Sequence, residues 1–361
     1  MSRVPSIYSL ELRSPTGTLI ADLSGKARKR RFVQSRNAPE EIQWEVDVNE
    51  LEQYARDLKL PEDGLIVPGS TEVRVKRKGQ YILGGRINYA GTYLSSKTQS
   101  MTIRASGFLD MFADRYTGTT SMGTVQESFT ATQWTTIAST LITQTQALTR
   151  GSFGVTIGLL ASVGTGDKTF SYTNIRDALI ALSQSSSKSF DFEFTYDKVF
   201  NTYANIGNTR PDIVFEHPGN IIEMEVENDA TRVANQVIAF GRGFGDQSST
   251  EIEVSDWGSQ ETYKLRQNII VTNGTDNSDN GITDAATAYM SAYSIPYELP
   301  KITVSGSQNP AINTYGIGDY VKVKIGSYGS LKHLNGMYRV EKRVVTIDEN
   351  DDEIVQIWLG V

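Results

Sequence analysis

The 361-residue sequence predicts a mixed, β-rich fold in which two β-barrel segments bracket an α/β (α+β) domain. Three observations carry this. Apolar side chains recur at every second position through the first hundred residues, their spacing becomes helical between about 130 and 183, and alternation returns from about residue 212. The length exceeds what one core usually supports, so several domains are expected.

In chain order, Ile42, Trp44, Val46 and Val48 mark the clearest early strand. A short helix follows, with Asn49 and Glu52 in capping-box spacing, Leu51, Tyr54, Ala55 and Leu58 on one face, and an end near Pro61. Val73 and Val75, a turn at Lys78, Gly79 and Gln80, then Tyr81, Leu83 and Ile87 predict a hairpin, and Met101, Ile103 and Ala105 one more strand. This first barrel domain spans 1–112.

A Thr-, Ser- and Gly-rich connection (TGTTSMGT) then marks a boundary. Thr130 and Gln133 are expected to open a helix carrying Trp134, Ile137, Ala138, Leu141 and Ile142, and Thr173 one carrying Ile175, Ala178, Leu179 and Leu182. Phe190, Phe192 and Phe194 alternate with Asp191 and Glu193, a strand with one aromatic face. The α/β domain therefore spans 113–211. Beyond it, Ile222, Met224 and Val226 alternate with Glu223, Glu225 and Glu227, and Val237 and Ala239 continue the pattern. The second barrel domain, 243–361, holds a short helix near 283–294, capped by Thr283 with Ala286, Tyr289 and Tyr293 on one face. It closes on Val321, Val323 and Ile325, then on Val340 to Ile347 and Ile354 to Leu359 around the turn DENDD.

Composition excludes several functions. There is no cysteine, hence no disulfide and no thiolate nucleophile or metal ligand. The net charge of -7 and the isolation of the one basic run, Lys26 to Arg31, argue against a nucleic-acid grip, while an acidic lining suits a pore through which DNA slides. The N-terminus lacks a signal-peptide pattern and no apolar stretch is long enough to span a bilayer, so assembly in a bacterial cytoplasm is expected.

Catalytic motifs are scarce. The two histidines, His217 and His333, lie in turn-like contexts with no G-x-S-x-G elbow and no H-E-x-x-H. Gly241 to Asp246 (GRGFGD) follows a strand but lacks the spacing and the helix of a phosphate loop. Asn273 to Gly281 resembles a calcium loop until its twelfth position, Thr287, where a bidentate Glu is needed. The acidic run Asp348 to Glu353 reads as hairpin chemistry. With 42 acidic residues, carboxylate pairs are certain and uninformative without a sugar-sized cleft. Trp44, Trp134 and Trp358 fall on apolar faces, whereas Trp257 is a candidate saccharide platform. No catalytic, cofactor or metal residue is assigned.

The order of segments resembles the tail hub proteins of long-tailed phages. The similarity runs through IYSLELRSPTGTLIADL, the strand around Trp44, VRVKRKGQYILGGRI and MTIRASGFLDMFADRYT; through WTTIASTLI and YTNIRDALIALSQSSSKSFDFEF; and through NIIEMEVENDATRVANQVIAFG, YGIGDYVKVKI and LNGMYRVEKRVVTIDENDDEIVQIWLG. It rests on segment order and hydrophobic texture. The resemblance implies a virion structural protein at a tail tip or baseplate. It further implies a homotrimer whose two β-barrels per subunit make a pseudo-six-fold ring around the DNA channel, adapting a six-fold tail to a three-fold tip. Implied partners are the distal tail protein, the tape measure protein and a central fibre or spike, with DNA passing the lumen unbound. In such hubs the first barrel can be discontinuous, so 212–242 is offered as its completion. The chain stops after the second barrel, so no appended enzymatic domain is expected and the chain is read as no enzyme. A carbohydrate- or receptor-binding tail module and a carboxylate-based wall hydrolase are the alternatives, and a hub of a bacterial contractile injection device gives the same sequence signature.

Overall fold

The computed structural model describes residues 7–61, 64–96, 98–118, 126–184, 189–241, 251–271, 279–295, 297–326 and 334–360. The first hundred residues form β1 (Tyr8–Arg13), β2 (Leu19–Asp22), β3 (Arg28–Ser35), β4 (Glu41–Asp47), α1 (Val48–Asp57), β5 (Glu72–Arg77), β6 (Gln80–Leu94) and β7 (Gln99–Gly107). The β5–β6 turn is Lys78-Gly79 with φ of 48° and 82°. Positive φ at both central residues is the mirror-image turn that matches strand twist, which is why glycine follows lysine here. Helix α1 is capped two residues earlier than the Asn49 and Glu52 spacing predicts. The carboxylate of Asp47, the last residue of β4, accepts from the Asn49 and Glu50 amides at 2.9 and 3.2 Å.

The middle segment packs a 3-10 turn (Phe108–Phe112), β8 (Glu127–Gln133), α2 (Trp134–Gln146), β9 (Thr156–Ile157), β10 (Thr165–Phe170), α3 (Ile175–Ser183), β11 (Asp191–Phe194) and β12 (Val199–Tyr203) around one core. Thr130 does not open a helix: it lies in β8, whose Thr- and Ser-rich sequence pairs with β10, and α2 starts at Trp134 without a side-chain cap. Asn174, not Thr173, caps α3 by accepting from the Asp177 amide. The TGTTSMGT connection lies largely outside the described residues.

The remainder comprises β13 (Thr209–His217), β14 (Ile221–Asp229), β15 (Gln236–Phe240), β16 (Glu251–Ser255), α4 (Trp257–Tyr263), β17 (Gln267–Val271), α5 (Asp279–Tyr293), β18 (Tyr297–Ser305), β19 (Tyr320–Ile325), β20 (Leu334–Ile347) and β21 (Glu353–Gly360). A register shift between Ile221 and Glu223 buries Ile221 and turns Ile222 outward, whereas Met224 packs on the core and Glu223 and Glu225 stay exposed, as the alternation predicts. Helix α5 begins four residues before Thr283, which sits inside it. Trp358 is half-buried on the outward face of β21, flanked by the Lys301 and Lys342 ammonium groups, because Val355, Ile357 and Leu359 take the inward positions.

Both β-rich segments merge into one 13-stranded sheet in the order β14-β18-β21-β20-β3-β4-β7-β6-β5-β1-β2, with β13 and β19 branching from β20. The two halves meet where β20 residues 342–347 pair with β3, and they share one hydrophobic core. Within 212–242, β13 pairs with β19 and β14 with β18. The stretch offered as completing the first barrel thus hydrogen-bonds to strands of the C-terminal half. Val237 and Ala239 do not extend β14 either: β15 joins β16 and β17 in a separate sheet packed on Ile282 and Ala286 of α5. No helix among the described residues is long and apolar enough to cross a membrane.

Candidate functional site

The motif candidates do not converge. His217 ends β13, whereas His333, residues 242–246 of the glycine-rich loop and residues 273–278 of the calcium-like loop lie outside the described residues. The acidic turn is internally satisfied: the Asp348 carboxylate accepts from the Asn350 and Asp352 amides at 2.8 and 2.9 Å, and Arg30 pairs with Asp351. Lys29 and Arg31 of the basic run pair with Glu45 and Glu41. Trp257, 72% exposed, opens the seven-residue helix α4. Among the described residues no group of three His, Cys, Asp or Glu is placed to hold a metal ion.

What the fold does bring together is charge at the junctions between its parts. Asp191 of β11 was expected to face outward, yet it is buried along with Phe190, Phe192 and Phe194. Its carboxylate accepts from Arg36 beyond β3, from Arg339 of β20, from Asn37 and from the Ile206 amide. Burial works against this charge, but the Ile206 amide and the two guanidinium groups outweigh it and hold the carboxyl below its ordinary value. One side chain therefore ties the middle domain to both halves of the large sheet. The sequence offers no signal for it, because a strand buried on both faces reads as alternating when its polar residue is paired.

Two further buried pairs do similar work. Arg77 of β5 grips Glu353 of β21 through two bonds of 2.6 Å, and the Tyr8 hydroxyl donates to the same carboxylate at 2.5 Å. This bidentate pair joins the N- and C-terminal parts of the sheet. Lys198, beside β12, bonds Glu72 and the Pro15 carbonyl at 2.8 Å each, fixing the middle domain to the first half. Backbones also meet without side chains between them: a Cβ on Gly207 (φ +88°) would lie 2.2 Å from the Gly318 carbonyl carbon. Only glycine permits this crossing.

Beside that crossing is a cavity of about 320 Å³ whose walls include Arg36, Glu40, Phe192, Glu193 and Arg343. Glu40 is only partly covered by area because it opens onto the cavity, yet it is set deep among protein atoms. Its carboxyl is pushed up to about 8, by removal from water first and the Glu193 carboxylate second, with Arg343 opposing. Glu193 accepts from the Tyr203 hydroxyl at 2.7 Å. Arg343 spends its donors on Gln34 and on the carbonyls of Ile312 and Tyr315. These two carboxyls line one partly open cavity at the junction, and the groups around them are engaged with protein.

No family model matches the sequence, and no curated protein does. Among solved structures, the 43 kDa tail protein of prophage MuSo2 from Shewanella oneidensis aligns over 98% of this chain and 97% of its own, with 14% identity and a TM-score of 0.66. The chain shares the fold of tail proteins. A tail protein from Neisseria meningitidis MC58 aligns over 98% and 96%, with 11% identity and a TM-score of 0.67. The Escherichia coli c3393 protein, described as a type VI secretion component with structural similarity to the phage T4 tail proteins gp27 and gp5, aligns over 93% and 73%, with 9% identity and a TM-score of 0.52. Coverage near full length means that the tail-protein fold extends over the junctions described above.

Proposed function

We propose that the chain is a structural hub subunit of a phage tail tip or baseplate, forming a homotrimeric, pseudo-six-fold ring around the DNA channel. The observation that carries this reading is the build of the large sheet. Its N-terminal run, β2-β1-β5-β6-β7-β4-β3, and its C-terminal run, β13-β19-β20-β21-β18-β14, each end on strands consecutive in sequence, β2 with β3 and β13 with β14. Each run has the connectivity of a sheet that curls toward closure, and two such lobes per chain give six lobes in a trimer. In this reading the second barrel is built from 209–229 and 297–360, with residues 235–293 inserted as a small α/β unit and 108–203 as the middle domain. The full-length likeness to tail proteins supports it, as do the buried ion pairs that fix the lobes to one another. The distal tail protein, the tape measure protein and a central fibre or spike are the proposed partners, and the virion tail the proposed location.

The test is negative-stain electron microscopy of the purified chain at high concentration. Three-fold rings with six lobes and a central hole are expected; a monomer that persists even with the distal tail protein added would overturn the reading. The Glu40 and Glu193 pair favours one second reading, a wall hydrolase, since one carboxyl protonated near neutrality beside another is the acid and base arrangement such enzymes use. On the hub reading, digestion of purified cell wall by the chain stays at the level of a Glu40→Gln control.

A further inference from the structure

Among the described residues, the small sheet formed by β15, β16 and β17 is covered on one face only. Val237, Ala239, Ile252, Val254 and Ile270 pack against α5. The register puts Glu253, Ile238 and Ile269 in one row across the opposite face, and Glu251, Phe240 and Val271 in the next. Ile269 is 51% exposed, Val271 is exposed as well, and neither carboxylate has a cation partner among the described residues. Two rows of carboxylate and apolar side chains on an open sheet face form an apolar patch with an acidic border.

A second patch has the opposite charge. Strand β6 keeps β5 as a neighbour only to Arg86, so from Asn88 to Leu94 it runs on with β7 alone as a two-stranded arm. On one face of the arm the Tyr89 ring lies over Gly91, where a Cβ would sit 2.1 Å from the Tyr89 hydroxyl, and the Arg104 guanidinium covers that ring at 5.0 Å. Tyr93, two residues beyond Gly91 on the same face, is 63% exposed. No Asp or Glu occurs between Asn88 and Ser106.

We propose that the arm of one copy docks on the open face of the β15–β16–β17 sheet of a second copy, with Tyr93 against Ile269 and Val271 and Arg104 facing Glu251 and Glu253. This rests on the ring reading above and supplies its contact surfaces. The two patches differ, so the contact is head-to-tail, the kind that generates rings when the rotation closes. Aromatic and arginine anchors against an apolar patch with a carboxylate border are what a specific protein contact needs. A saccharide would instead need a concave site, whereas the arm is a two-stranded ribbon.

The test uses the full chain and two variants, Tyr93→Asp on the arm and Ile269→Asp on the face, each first checked by circular dichroism for an unchanged fold. Sedimentation should show the self-association of each weakened roughly 30-fold or more, the loss expected of a central anchor. An equimolar mixture of the two should regain one interface and form dimers but no rings, because each copy keeps one intact patch. A photo-crosslinker at position 93 should attach to residues 267–271 of a second copy. Oligomers that survive both substitutions, or a crosslink in assembled tails to a different protein, would overturn this inference and leave the hub reading standing. A wild-type chain that is monomeric at every concentration overturns both.

Discussion

Single charged groups set how this molecule responds to pH and to substitution. Glu40 holds its proton to about pH 8 in the folded chain but loses it near 4.5 when unfolded, so between those values the unfolded state gives up its proton first and stability falls as pH rises. Glu40→Gln should therefore raise the melting temperature at pH 8, by the equivalent of up to about 4 kcal/mol, and leave it unchanged at pH 4. Thermal melts at the two values check the sign. Asp191 works in the other direction: its carboxyl lies below the ordinary value, so its contribution is complete above that value and is lost as pH falls from there through the lower value of the folded chain. Glu353→Ala leaves Arg77 buried and unpaired and should cost about 3 to 5 kcal/mol in urea unfolding. Tyr8→Phe, which removes only a third bond to the same carboxylate, should cost about 1 kcal/mol.

At the scale of elements, the cap of α1 gives a direct measurement. Asp47→Ala removes the acceptor for two amides and should cost about 1 kcal/mol, while Asn49→Ala should cost far less because its side chain caps nothing. Denaturant titration of the pair distinguishes the observed cap from the one its sequence spacing suggests. Elements with strong periodicity were legible from sequence: β4, the β5–β6 hairpin, the buried faces of α2 and α3, and the β20–β21 hairpin all lie where alternation or helical spacing puts them. Ends and phases were not. Thr130 looks like a helix cap because hydroxyl residues serve both caps and strand faces, and the bulge in β14 shifts Ile222 outward without leaving a trace in the pattern of Glu223 and Glu225.

For the whole molecule, segment order predicted two β-barrels around an α/β domain; the chain is β-rich and shares the fold of tail proteins, with both β-rich segments joined in one large sheet. The junctions were not legible, because Asp191, Arg36 and Arg339 are 155 and 148 residues apart in sequence and each is an ordinary charged residue in its own segment. Breaking that node should loosen domains rather than unfold them. Asp191→Asn keeps the Ile206 bond but removes the charge facing two guanidinium groups, and limited proteolysis should then cut the link around residues 203–209 faster while the far-ultraviolet circular dichroism signal is retained.

Strand β20 pairs with β19 through its first residues and with β3 through its last. During synthesis, β3 emerges more than three hundred residues before the strand that covers its outer side. The ribosome therefore releases an N-terminal half with a bare edge, open to wrong partners until the final hairpin arrives. Chains that contain the folded first half but stop before Leu334 should accumulate as aggregates on expression, and the yield of soluble protein should depend on translation reaching the end.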